Sequence, residues 1–530
     1  MRLYWLFCCL LGLVACGQEG QEDEAAALLR GKWIGSAETV PYPELMTLSY
    51  DSVPIVQCFY RGIDLYIPEN FRVKGNQISF RIDAKGLQGD FTGRILGDTI
   101  KGIFQTEQGM HASHFIKAHP NTLESVGQLV GYYRLGPDHV LEVLPYTLSS
   151  DLTGLSIIDF KTGKKRVAFP VGEGYFAAGK RMLSPYPRDL SLRLAGTDSR
   201  QNPGIEYEDG GALHKAKRLP DVENFRDFEV QHGDIKLACT ITYPMGGEGP
   251  YPLVVVVPGT GEVVRASAYN DYTKVLPWQG VAVLAYDKRG CGESTGDLDR
   301  STFEDLAKDL DAVLQEVYGK PGEYNIDAAR VGISGFDQAG FVMPIVASKR
   351  KQLAFMATIA GSALSVEAQE FIACELRMLA DGFDEPAINE ALQYERRMFE
   401  YLQGKIDSAT FQRYSDEAKN KPWMGVYATS FDNKRYIERW KLIHAFDPLP
   451  YLNKVKVPMF VAYGEQDLIC PPKYNFPVMK QVFERNAHEA NQMIAFEGAN
   501  HLIMLGEKRG DFQFSEIIGY APSFMPAINA

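Results

Sequence analysis

The 530-residue sequence predicts antiparallel β-rich domains followed by a doubly wound, mainly parallel α/β sheet carrying a helical insertion. Three observations predict it. The N-terminal part alternates apolar and polar residues in short runs broken by Gly, Asn and Asp. The C-terminal part alternates continuous apolar runs with segments of helical period. Glycine-rich motifs bearing acids and a histidine stand at the ends of those apolar runs, where an α/β sheet holds its ligands. Length alone requires two or three cores. An apolar content of 45% and a charged content of 23% are those of ordinary globular protein. The net charge of −12 argues against nucleic acid, which selects for basic faces.

The chain opens with an export signal. Arg2 supplies a positive charge, and Leu3 to Leu13 form an apolar run too short to span a bilayer but suited to a signal peptide. The run ends in Leu13-Val14-Ala15-Cys16, which resembles a bacterial lipobox. That resemblance implies a signal peptide over 1–15 and lipidation of Cys16, which would anchor the protein to a membrane. Residues 16–28 then form a polar, acidic tether. Gly17 after the cysteine resembles outer-membrane sorting, and the acidic cluster from Glu19 to Glu24 resembles the tethers of surface-exported lipoproteins. Cys58, Cys239, Cys291, Cys374 and Cys470 show no C-x-x-C spacing and read as small buried hydrophobes.

A first β-rich domain is expected over 29–120, an antiparallel sheet or small barrel, with Trp33 plugging one end. His111 and His114, separated by Ala-Ser, suggest a metal pair, but no other ligand is placed nearby and they read as solvated strand residues. A second β-rich module is expected over 121–222, with strand patterning from 131 to 194. From 223 to 530 the pattern changes. Strands are expected over 235–243, 252–257, 280–286, 329–334, 355–359, 459–463 and 493–496, and a helix over 303–317 capped by Ser301 or Thr302. Residues 366–444 are helical in pattern and read as a cap over the site.

Five motifs follow strands. They are Val257-Pro258-Gly259-Thr260-Gly261, then Tyr286-Asp287-Lys288-Arg289-Gly290-Cys291-Gly292-Glu293-Ser294, then Gly335-Phe336-Asp337-Gln338-Ala339-Gly340, and finally Tyr463-Gly464-Glu465-Gln466-Asp467 and Gly498-Ala499-Asn500-His501. Together they make residues 227–525 resemble a bacterial α/β-hydrolase of the esterase and serine-peptidase-like branch, whose triad runs nucleophile, acid, histidine. The two upstream β stretches also resemble the N-terminal domains of exported members. The resemblance implies Asp337, Asp467 and His501 as the catalytic set. It implies the N–H groups of Thr260 and Gln338 as the oxyanion hole, and Gly335, Ala339 and Gly340 as the small residues of the elbow. Neither cofactor nor metal is implied; the expected partner is a small-molecule substrate.

One position departs from that branch: Asp337 stands where the family has serine. Ser334 cannot replace it, because Phe336 would then occupy a turn position that needs a small residue. A carboxylate attacking an ester would have to expel a far worse leaving group than itself. Displacement of a halide or epoxide oxygen from saturated carbon instead leaves a stable alkyl ester, which His501 and Asp467 could hydrolyse with water. In this the sequence resembles haloalkane dehalogenases, fluoroacetate dehalogenases and epoxide hydrolases, although their halide-binding residue after the first glycine is Thr260 here. Trp423, Tyr427, Tyr436 and Trp440 are cap aromatics that could supply donors. Asp287 and Arg289 are expected to fix their turn, and Arg265 is expected either in solvent or facing an anionic substrate. Three function classes follow: an exported hydrolase acting on a small ester, halide or epoxide; a silent homologue that binds a ligand; and a surface binding protein whose β modules matter most.

Overall fold

The computed structural model describes residues 24–37, 44–58, 64–84, 87–107, 109–137, 139–195, 204–220, 224–425, 427–506 and 517–529. The signal peptide, Cys16 and most of the tether lie outside the described residues, as do Cys8 and Cys9. The chain divides into two compact units, one built mainly on the residues up to Pro120 and one holding nearly all the rest.

The first unit is a nine-stranded antiparallel sheet. Its strands run from Asp64–Tyr66 at one edge, through Gly31–Ala37 and Gly109–Ala118 in the middle, to Glu69–Lys74 at the other. Trp33 is fully buried and its indole N–H donates to the Leu29 carbonyl at 2.8 Å. Gly93 and Gly102 oppose each other beside the Phe91 ring, where a Cβ on either would come within 2.7 Å of the ring. His111 and His114 are not solvated as expected. His111 is buried and bonds the Thr106 hydroxyl at 3.0 Å, and His114 is half-buried. Three residues apart on one strand, they face opposite sides, so they form no metal pair.

The second unit begins with a closed eight-stranded barrel from Gly131–Gly136 to Ala212–Arg218. Its last two strands, Gly204–Asp209 and Ala212–Arg218, extend the β pattern past 194, with Ile205, Tyr207 and Ala216 buried.

The C-terminal sheet has eight strands: β1 (Phe225–His232), β2 (Ile235–Thr242), β3 (Tyr251–Val257), β4 (Ala282–Tyr286), β5 (Ile326–Phe336), β6 (Met356–Ile359), β7 (Met459–Gly464) and β8 (Gln492–Phe496). Their order is β1-β2-β4-β3-β5-β6-β7-β8, antiparallel up to the β2–β4 pair and parallel thereafter. The continuous apolar run of β3 has its expected reason. Leu253, Val255 and Val257 join one core, and Val254 and Val256 join another on the opposite face. The first core takes in helix α1 (Phe303–Gly319). The second takes in Val140, Ile158 and Phe160 of the barrel. Of the two expected caps for α1, Thr302 takes the position, in a reciprocal capping box with Asp305, an arrangement worth about 1 kcal/mol.

Helix α2 (Ala339–Ala347) follows β5 directly. The insertion over 366–444 contains four helices: α3 (Val366–Ala380), α4 (Glu385–Leu402), α5 (Ser408–Ala418) and α6 (Lys434–Ile443). Cys58, Cys239, Cys291, Cys374 and Cys470 are all buried free thiols.

Candidate active site

Asp337, Asp467 and His501 come from the loops after β5, β7 and β8, and the fold brings them together at the carboxyl edge of the sheet. The turn between β5 and α2 is sharp. Asp337 has φ of +52°, a left-handed conformation that costs an L-residue about 1–2 kcal/mol. Its closure depends on small neighbours: a Cβ on Gly335 would lie 2.4 Å from the Ala339 Cβ, and one on Gly340 would lie 2.7 Å from the Gly361 backbone. Ser334 remains in the strand, buried, with its hydroxyl 3.0 Å from that of Tyr272.

Asp467 is buried, and one carboxylate oxygen accepts the backbone N–H groups of Ile469 and Cys470, each at 2.8 Å. The other oxygen lies 2.9 Å from His501 Nδ1. That bond fixes the ring and leaves Nε2 facing Asp337, whose carboxylate is 3.7 Å away. Phe336 supports the His501 ring edge-on at 5.5 Å. Burial alone would lower the His501 pKa. The charges of Asp467 and Asp337, and the bond to Asp467, overcome it and raise the value to about 10. Burial would likewise raise the Asp337 carboxyl, but the His501 charge, the Thr260 hydroxyl and the Lys288 charge hold it below the usual carboxylate range.

A cavity of about 490 Å³ lies over this carboxylate, lined among others by Thr260, Lys288, Gln338, Glu370, Tyr436 and Arg439. Its floor is the sheet edge and its roof is α3 and α6. Among the described residues, neither the Thr260 nor the Gln338 backbone N–H is taken by a backbone carbonyl. Both therefore remain as donors for a developing oxyanion. Glu370 is pushed up to about 7 by burial and then by the nearby Asp337 charge. Arg439 donates to the backbone carbonyls of Leu298 and Ser301, the latter at 2.8 Å. Among the described residues no group of three or more His, Cys, Asp or Glu is arranged to hold a metal.

Other expected residues fall elsewhere. Asp287 and Arg289 do brace their turn: Asp287 accepts the N–H groups of Arg265 and Glu293 at 2.7 and 2.9 Å, and Arg289 pairs with Asp309 at 2.5 Å. Arg265 does not line the cavity; it is half-buried near the surface, with its guanidinium paired with Asp287 and Glu293. Of the cap aromatics, Tyr436 and Trp440 line the cavity. Trp423 is core, and the Tyr427 hydroxyl donates to Asp381. Glu370 and Arg439 carry no signal in the sequence beyond their place in amphipathic helices. Lys288 stood inside a quoted motif, but its contacts were not legible there.

Residues 254–512 match the model of the alpha/beta hydrolase family. No curated protein matches the chain. Among solved structures, an esterase of Pyrococcus furiosus is 18% identical, with a TM-score of 0.34 over 51% of this chain and 80% of its own. Est1E of Butyrivibrio proteoclasticus, solved with ferulic acid bound, is 15% identical, with a TM-score of 0.36 over 57% and 96%. A proline iminopeptidase of Mycobacterium smegmatis is 18% identical, with a TM-score of 0.34 over 52% and 92%. Strand order, connectivity and the family match agree, and the C-terminal half of this chain is an α/β-hydrolase domain.

Proposed function

We propose that the domain hydrolyses a small organic halide or epoxide through a covalent ester on Asp337. The observation that carries this reading is a carboxylate at the strained elbow, 3.7 Å from a histidine that is itself held by a second carboxylate at 2.9 Å. An Asp337 oxygen attacks the saturated carbon, and the bond to the halide or epoxide oxygen breaks with its electron pair leaving on that group.

The resting protonation state fits the order of events. With a pKa near 10, His501 holds two protons at neutral pH and is no base. Ester formation removes the Asp337 charge, one of the two that keep the second proton in place. The proton passes to the leaving group or to solvent, and Nε2 becomes a base only once there is an ester to hydrolyse. His501 then takes a proton from water. The resulting hydroxide adds to the Asp337 carbonyl carbon, and the N–H groups of Thr260 and Gln338 stabilise the oxyanion. Collapse expels the product alkoxide, which takes the proton from His501, and the Asp337 carboxylic acid left behind passes its own proton to His501, restoring the resting ion pair.

The test is the intact mass of the His501→Ala variant after exposure to a panel of esters, haloacids and epoxides. A stable adduct with a halide or epoxide is expected. Undiminished turnover with no adduct would contradict the reading. We further propose, from Leu13-Val14-Ala15-Cys16, that the protein is exported and lipid-anchored at Cys16, with the outer membrane as its destination. Cys16→Ser should abolish membrane partition, and unchanged partition would refute the anchor.

A further inference from the structure

Lys288 is an almost fully buried cation in the cavity wall, 2% exposed, for which the reaction above has no use. Its neighbours in the motif turn toward their own loop, Asp287 toward Arg265 and Arg289 toward Asp309. Lys288 reaches the other way. Its ammonium lies 2.7 Å from the Gly259 carbonyl, 3.2 Å from the Gly261 carbonyl and 2.6 Å from the Gln338 side-chain oxygen. An ammonium has three protons, and three acceptors surround this one. None remains for a substrate.

The acceptors are not arbitrary. Gly259 and Gly261 flank Thr260, and Gln338 is the residue after Asp337. The Gly259 carbonyl and the Thr260 N–H belong to the same peptide group. In a planar trans peptide the two point in opposite directions. Fixing the carbonyl on Lys288 therefore aims the Thr260 N–H to the far side of that peptide plane. Thr260 borders the reacting carboxylate, since the two line the same cavity. The loop has no slack in which to find this orientation another way, because a Cβ on Gly259 would lie 2.9 Å from the Phe336 carbonyl.

We propose that Lys288 is a positioning residue that ties the two halves of the oxyanion hole, the Thr260 loop and the Gln338 turn, into one preorganised unit. The inference rests on the covalent reading of Asp337. It assigns Lys288 to the second step, in which the ester carbonyl becomes an oxyanion, and not to the first, in which carbon is alkylated. Burial, with the Arg439 charge assisting, brings the Lys288 pKa down to about 7, while Cys291 and Asp337 oppose the fall. The neutral amine has two protons for three acceptors, so the brace loosens as the lysine deprotonates.

The experiment follows adduct mass and product in parallel for wild type, His501→Ala, Lys288→Met and Lys288→Gln, using whichever haloacid or epoxide labels His501→Ala. In Lys288→Met ester hydrolysis should slow about 10- to 100-fold more than alkylation does, less than or equal to the effect of deleting one oxyanion donor outright. The ester on Asp337 should then accumulate during turnover with His501 intact. Lys288→Gln keeps two donors and covers the case in which Lys288→Met does not fold; it is expected to lose less. Wild-type turnover without accumulated ester in either folded variant would overturn the inference, as would equal slowing of both steps. Absence of any adduct in His501→Ala would instead overturn the covalent reading itself, so the two failures are distinguishable.

Discussion

The floor of the cavity and its roof are built in opposite ways. On the floor, the charged groups have fixed protein partners: Asp467 has two N–H groups and His501, and Lys288 has three acceptors. On the roof helix α3, the Gln369 side-chain oxygen and Arg377 Nε are buried without a hydrogen-bond partner. A buried polar atom left unbonded costs about 1–3 kcal/mol. Glu370, between them, is poised near neutrality. On the covalent reading proposed above, such a floor is preorganised for a charge that develops in one place. On the roof, α6 has its Arg435 and Arg439 paired, whereas α3 presents Gln369 and Glu370 to the cavity.

The comparison is broken most forcefully at the floor. If the scaffold is an esterase frame with an altered nucleophile, Asp337→Ser should gain activity on p-nitrophenyl acetate over a wild type that shows little. The gain should vanish in the double variant with His501→Ala, because the serine needs a base. Strong wild-type esterase activity surviving Asp337→Ala would place the nucleophile elsewhere. A smaller effect is expected at the roof. Glu370 gains charge as pH rises through about 7, and that charge faces Asp337 and any anionic substrate. The KM for a haloacid should therefore rise with pH across this range in wild type, by an amount on the order of a few-fold, and rise less in Glu370→Gln, where only the loss of the Lys288 charge remains. A pH-dependent KM unchanged by Glu370→Gln would remove this role from the roof.

The same contrast governs what could be read from sequence. The floor was legible because its demands are local. A sharp elbow needs Gly335, Ala339 and Gly340 at fixed spacing, and apolar runs bounded by such motifs mark the strands that deliver them. The role of Lys288 was hidden although the residue lay in a quoted motif, since its acceptors are 29, 27 and 50 residues away. Glu370 and Arg439 were hidden because an amphipathic helix states which face is apolar and not what that face meets. His111 was misplaced as a solvated residue because alternation in a sheet with two differently covered faces does not say which face is dry. Asp337 was both legible and ambiguous: its position follows from the elbow, and its chemistry does not.

The central claim is that the Asp337 carboxylate forms a bond to substrate, and the most direct measurement is peptide mapping of the adduct trapped in His501→Ala. One alkyl group per chain is expected, located on the peptide containing Asp337 and absent from the Asp337→Asn, His501→Ala double variant. Product formation that continues in Asp337→Asn, with no modified Asp337 peptide at any time in the trapping variant, would contradict the account.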